Sequence, residues 1–464
     1  MKQLFAFSLI FIVAVVVLFG AGCANIIPPS GGPRDTLPPT LLSATPGDST
    51  TNFKDNNILL TFDEYVDLQD IQNNLLFTPT FQNVPLIEAR GKTLTIRFRD
   101  TLQPNTTYTL NFGNAIRDIN ESNVLRNFVY TFSTGPFIDS LELSGKVVLA
   151  ETGKTDSTLM VLLHRNLSDS AVRKLRPTYI TRLDANGNFR LKNLPEGKFA
   201  IYALGEAGLM RTYNRGSQLF AFLDSTVQAG QSQPVTLYAY RETPATSVTN
   251  VGAIGVIQKA TDKRLQFTTN LTGGQQDLFK DLTLTFGTPL KIFDSAMVQL
   301  AKDSVFSQVP FTTTLDSSKK QLTLQTQWQE GTPYHLILSK DFAEDSLGRK
   351  LLKSDTLHFS TKKNTDYGNV TVRVKNVDAI RNPVLQFVQN DQVVFSAPLR
   401  SGVFSQTLFT AGEYQLRILY DTNGNLKWDA GNFSAKKLPE IVRPITGRTI
   451  TVKPNWDNEF DVSL

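Results

Sequence analysis

Asn105-Thr-Thr-Tyr-Thr-Leu-Asn-Phe112 (NTTYTLNF) sets Tyr108, Leu110 and Phe112 on one side of the chain and Thr107, Thr109 and Asn111 on the other. A period of two between polar breaks marks a half-buried β-strand. Ile58-Leu-Leu-Thr-Phe62 and Thr93-Leu-Thr-Ile-Arg-Phe98 follow the same pattern. Clusters of Gly, Pro, Asn and Asp separate such runs along the whole body of the chain. No long stretch carries a helical stripe, and Ser168 to Arg176 predicts one short helix. The expectation is an all-β protein made of sandwiches.

The opening stretch recurs. Asn105-Thr-Thr-Tyr108-Thr-Leu110 matches Gly331-Thr-Pro-Tyr334-His-Leu336. Leu60-Thr-Phe62 precedes the first, Leu284-Thr-Phe286 the second, and Phe132-Ser-Thr134 and Phe359-Ser-Thr361 close them. Between these landmarks lie Asp118-Ile-Asn-Glu-Ser-Asn and Asp345-Ser-Leu-Gly. Shared order and spacing make residues 39–136 and 246–363 two copies of one domain. Tyr108 and Tyr334 are expected to bury their rings and use their hydroxyls to tie down a corner. The pattern resembles the SbsA-type bacterial Ig-like domain, which ends on a Tyr-bearing strand, an Asp-rich turn and a Phe-x-Phe-x-Thr-like strand.

A second repeat fills the gaps. Asn186-Gly-Asn-Phe189 leads to Gly197-Lys-Phe199, and Ser401-Gly-Val-Phe404 leads to Gly412-Glu-Tyr414. Each copy predicts a turn, a strand, a glycine turn and a strand, together a hairpin. This signature resembles the transthyretin-like or carboxypeptidase-regulatory-like sandwich. The expected body is four tandem β-sandwich domains: Ig-like at 39–136, transthyretin-like at 137–245, Ig-like at 246–363 and transthyretin-like at 364–464.

The N-terminus speaks to location. Lys2, the apolar run Leu4 to Phe19 and Gly20-Ala-Gly-Cys23 predict a signal peptide over 1–22 that ends before a lipidated cysteine. The pattern resembles a bacterial lipoprotein signal, although Gly20 stands where Leu is usual. An uncleaved N-terminal anchor is the alternative, and the run is short for a membrane span. Cys23 is the only cysteine, so lipidation gives it a role that a disulfide cannot. Residues 23–38, rich in Pro and Gly, predict a tether. With this tether and the first Ig-like unit, the chain resembles the Ig-like domain lipoproteins of Bacteroidota envelopes. That resemblance implies an outer-membrane lipoprotein, and the lack of an acidic run after Cys23 favours the periplasmic face over the cell surface.

Composition excludes several classes. The 464 residues carry a formal charge of +5 with Lys and Arg scattered, so nucleic acid is not an expected partner. No Gly-x-Ser-x-Gly elbow, Walker loop or dinucleotide fingerprint occurs. His335 and His358 fall on the outward side of strands that end one domain, possible neighbours there. Without an added Asp or Cys they make a poor zinc site and read as exposed strand histidines. The pairs Asp63-Glu64 and Asp118 with Glu121 read as loop and edge carboxylates.

Tyr420-Asp-Thr-Asn-Gly-Asn-Leu-Lys-Trp-Asp-Ala-Gly-Asn432 offers oxygens at Asp421, Asn423, Asn425 and Asp429. The spacing fits a structural calcium loop, but Gly sits fourth rather than sixth and Asn432 replaces the usual Glu. It equally fits a tight turn shaped by local hydrogen bonds. Asp-Ser/Thr followed by a small or apolar residue recurs along the chain and looks like the O-glycosylation sequon of Bacteroidota. It names Thr36, Ser49, Ser140, Ser157 and Ser225 as candidates. The same grammar also starts strands, and Thr356 at a strand start is a poor acceptor.

The expected function is a non-catalytic, lipid-anchored envelope scaffold that binds a protein partner, with an outer-membrane assembly or transport complex as one setting. The oligomeric state stays open. A carbohydrate-binding module is the alternative, for which Trp328, Trp428 and Trp456 supply few aromatic platforms. A carboxylate hydrolase is the least supported reading.

Overall fold

The computed structural model describes residues 34–206, 208, 210–243 and 264–464. The signal segment and Cys23 lie outside them. The chain divides into two compact units, Met1–Ser140 and Leu141–Leu464.

The first unit is a sandwich. One sheet orders the strands Leu41–Thr45, Asn57–Phe62, Thr93–Arg97 and Leu86–Arg90, and the facing sheet orders Phe128–Ser133, Thr107–Gly113 and Leu76–Thr78. Ile58, Leu60 and Phe62 from one wall meet Tyr108, Leu110 and Phe112 from the other, all buried. Alternation therefore decides the core, with inward side chains from both sheets filling it.

The second unit holds three such cores. In residues 265–359 the strand order of the first unit returns. Leu282–Phe286 pairs Gln321–Gln325, and Pro333–Leu338 lies between Val298–Lys302 and Asp355–Thr361. The corners match atom for atom. The Gln103 N–H donates to the Tyr108 hydroxyl at 2.8 Å, and the Gln329 N–H to the Tyr334 hydroxyl at 3.1 Å. Thr134 and Thr361 each accept from a backbone N–H and donate to the carbonyl of that same glutamine.

The other two cores also share one topology. In each, the first and last strands run parallel: Leu141–Leu149 beside Val235–Ala239, and Tyr367–Lys375 beside Asp457–Ser463. The opposite walls centre on Met160–His164 with Lys198–Leu204, and on Pro383–Gln389 with Gly412–Tyr420.

The expected hairpins are not formed. Asn188–Leu194 pairs with Leu141–Leu149, whereas Lys198–Leu204 pairs with Met160–His164 in the other sheet. Val403–Thr410 and Gly412–Tyr420 divide in the same way. The glycine turn is an arch from one wall to the other. Phe189 and Phe199 both point into the core, but from opposite walls. Gly197, at φ 145°, and Gly412, at φ 155°, take the crossing in a conformation that disfavours a side chain. The helix expected at Ser168 to Arg176 shrinks to one turn, Ala171–Lys174.

Candidate functional site

The loop between Gly412–Tyr420 and Ile441–Val452 carries the densest polar chemistry in the fourth sandwich. Asp421 is buried and accepts from the N–H groups of Asn423 (3.1 Å), Gly424 (2.7 Å) and Leu426 (2.7 Å). The Asn423 side-chain oxygen accepts from Asn425 N–H at 3.1 Å, and that of Asn425 from Lys427 N–H at 2.7 Å. Both asparagine amides donate to Asp429 Oδ2. The four candidate residues thus come together, with their oxygens turned to the loop's own N–H groups. A cation here competes with those donors, and both asparagines must reverse to face it. Among the described residues, no group of three or more His, Cys, Asp or Glu is arranged to hold a metal ion.

Glu440 completes the loop and has no local signature in the sequence. Its buried carboxylate accepts from the Thr422 N–H and hydroxyl, both at 2.7 Å, and from the Asp429 N–H at 3.1 Å. The Trp428 indole N–H donates to the Glu440 carbonyl at 2.8 Å, and its ring packs on Val384, Leu419 and Val442.

The far end of this loop enters the second sandwich. Phe433, 3% exposed, sits among Tyr202, Tyr213, Phe220 and Phe222, with ring centroids 5.1 to 6.2 Å away. Its N–H donates to Glu242 at 2.7 Å. The Arg173 guanidinium lies 5.5 Å above its ring, and Lys436 lies 5.1 Å from it while pairing with Asp169. Burial first, and the Glu242 carboxylate after it, push the Tyr213 and Tyr240 phenols above their ordinary range. Beside the clasp, Val442 N–H donates to Ala150 carbonyl at 2.8 Å, and Lys154 pairs with Asp391 at 2.6 Å. The backbones come so close that a Cβ on Gly153 would lie 2.3 Å from Pro444 Cδ.

No local motif marks these contacts, yet the sequence carries a signal for them. Val161-Leu-Leu-His164, Ile201-Tyr-Ala-Leu204 and Phe220-Ala-Phe222 are continuous buried runs, not alternating ones, which requires a cover on both faces. Phe433 and the turn Ala171–Lys174 belong to that cover.

The remaining candidates scatter. The third histidine of the chain, His164, is buried with its Nε2 lacking a partner, and burial lowers its pKa to about 4. His335 and His358 lie directly opposite each other on paired strands. Asp63 accepts from the Thr40 N–H and hydroxyl, and Asp118 from the N–H groups of Glu121, Ser122 and Asn123. The burial of Asp118 raises its pKa, and these bonds outweigh it and leave the net shift downward. Glu64 titrates high through burial, then through Asp35, Asp118, Asp63 and Glu121. Trp328 packs against Tyr334 and Phe359, and Trp456 is exposed under Lys453. Thr36, Ser49, Ser140, Ser157 and Ser225 are all exposed. No helix among the described residues is long and apolar enough to cross a membrane.

Residues 35–134 match the family model of a bacterial Ig-like domain. The first sandwich is therefore similar to that family in sequence. No curated protein matches the chain. Among solved structures, the TIE protein of Bacillus anthracis shares 10% identity over 94% of this chain and 76% of its own, at a TM-score of 0.17. BcpA, the major pilin subunit of Bacillus cereus, shares 10% over 69% of this chain and 99% of its own, at 0.17. The N-terminal part of the bacterial S-layer protein SbsC shares 14% over 42% and 45%, also at 0.17. Superpositions this loose say nothing about function.

Proposed function

We propose that this chain is a lipid-anchored, non-catalytic envelope scaffold that presents rigidly coupled β-sandwiches to a protein partner. The observation that carries it is the clasp of the fourth sandwich on the second through Phe433 and Glu242. Asp118, Asp345, Asp421 and Glu440, the buried carboxylates of the described residues, are all engaged in shaping loops. Cys23 would bear the lipid, with the outer membrane's periplasmic face as the site of anchoring and an assembly or transport complex as the setting. The exposed hydroxyls at Thr36, Ser49, Ser140, Ser157 and Ser225 suit O-glycosylation. Intact mass of native material, checked for sugar beyond polypeptide and lipid, tests that part.

Cross-linking in native membranes followed by mass spectrometry tests the scaffold. The expected result is one reproducible partner, lost from the membrane fraction together with the chain when Cys23→Ser is introduced. A chain that stays membrane-bound in that variant overturns the anchor. A wild-type chain that cross-links to no enriched partner overturns the scaffold.

A further inference from the structure

His335 and His358 face each other across Pro333–Leu338 and Asp355–Thr361, with Nδ1 to Nδ1 at 2.6 Å and ring planes 77° apart. The His335 Nε2 lies 3.1 Å from the Asp303 carbonyl. A carbonyl only accepts, so His335 carries its proton on Nε2 and turns the Nδ1 lone pair outward. The short contact then requires His358 to donate from its Nδ1. Phe306 stacks on the His335 ring with centroids 4.5 Å apart, which fixes the ring plane. A histidine whose far nitrogen is tied to a backbone carbonyl, which leaves the lone pair on its near nitrogen, has the second-sphere support typical of a metal ligand.

We propose that His335 and His358 form a two-nitrogen chelate for a late first-row divalent cation, with copper(II) bound more tightly than zinc(II). Metal–nitrogen bonds of about 2.0 Å at a right angle separate two cis nitrogens by about 2.8 Å, whereas a tetrahedral angle separates them by about 3.3 Å. The 2.6 Å contact is a hydrogen bond, and His358 is exposed, so a small rotation of its side chain opens the pair to either spacing. The His358 proton moves from Nδ1 to Nε2 through solvent as the metal enters, so neutral imidazoles remain on both sides. Pro333, Ile337, Thr356 and Ser360, at neighbouring outward positions, bring no cation to oppose the ion. The protein supplies two ligands only. Water or an outside donor fills the other positions, which suits tetragonal copper better than closed zinc sites.

The test uses the untagged full chain in detergent, stripped with EDTA and titrated with copper(II) chloride against a chromophoric chelator. One equivalent is expected to bind, with two imidazole nitrogens in its paramagnetic resonance spectrum and with zinc(II) displaced by copper(II). His335→Gln and His358→Gln are each expected to weaken binding about tenfold or more, with unchanged circular dichroism. Absence of saturable binding at one equivalent overturns the proposal. So does copper affinity that is the same in both variants, which marks an adventitious ion elsewhere on the chain.

Discussion

At the residue scale, Asp345 shows how the recurrent Asp in each Ig-like copy acts. It is fully buried and accepts from the Leu347 and Arg349 N–H groups, the Thr288 hydroxyl and the Arg349 guanidinium. Its burial raises the pKa, and these donors outweigh it and leave the net shift downward. A depressed carboxylate stabilises the fold fully above its unfolded pKa, and that contribution is lost as pH falls through the folded pKa. Asp345→Ala leaves several buried donors unpaired and is expected to cost about 2–4 kcal/mol in urea unfolding. His164 acts in the opposite sense to a paired histidine. Its pKa of about 4 lies below the unfolded value of about 6.5, so the unfolded chain binds the extra proton between them. Stability should therefore fall by up to about 3 kcal/mol as pH drops across that window. His164→Leu is expected to flatten this slope in denaturant melts at matched pH values. The calcium ladder makes a third case. Its oxygens already accept from loop N–H groups, so millimolar calcium and EDTA should leave the calorimetric unfolding temperature unchanged. A rise with calcium shows that the ion outcompetes them.

At the element scale, the strands were legible and their partners were not. Tyr108-Thr-Leu-Asn-Phe112 declares its core face by alternation, because a period of two is set by the pleat alone. The arch at Gly197 carries the sequence grammar of a hairpin, because the choice of wall depends on distant strands, Leu141–Leu149 and Met160–His164, not on the turn. The loop was legible as a turn through Asp421 and its asparagines. Glu440 and Phe433 were not, since their partners Asp429 and Glu242 carry no spacing rule. The His335–His358 pair was foreseeable from alternation plus the Ig-like repeat, but the Asp303 carbonyl that fixes its tautomer was not. Phe433→Ala removes a buried ring from a foreign aromatic pocket and is expected to cost about 3–5 kcal/mol. Gly431→Ala places a Cβ 2.7 Å from Tyr240 Cζ and 2.8 Å from the Lys437 carbonyl, and should loosen the same contact. In calorimetry, both variants should split a shared transition of the second and fourth sandwiches into two. A single transition in both would show that the clasp does not couple them.

At the scale of the whole molecule, the second unit joins sandwiches that are not consecutive. The third follows the second in sequence, yet the fourth supplies the clasp to the second. The third is tied to the fourth by the Leu278 N–H on the Tyr367 hydroxyl at 2.8 Å and by Phe279, whose ring centroid lies 5.3 Å from that of Tyr367. The Lys154 ammonium holds the Asp391 carboxyl below its usual range, with Arg417 a lesser influence. This contact between sandwiches therefore weakens as acid protonates Asp391. The parallel pairing of first and last strands in the second and fourth sandwiches has a mechanical consequence. Pulling apart the start of Leu141–Leu149 and the end of Val235–Ala239 drags neighbouring strands past each other, and loads their ladder of bonds together. An antiparallel end pair would open one bond at a time, like a zip. Tyr367–Lys375 and Asp457–Ser463 repeat the arrangement, so each of these sandwiches meets tension along the chain in shear.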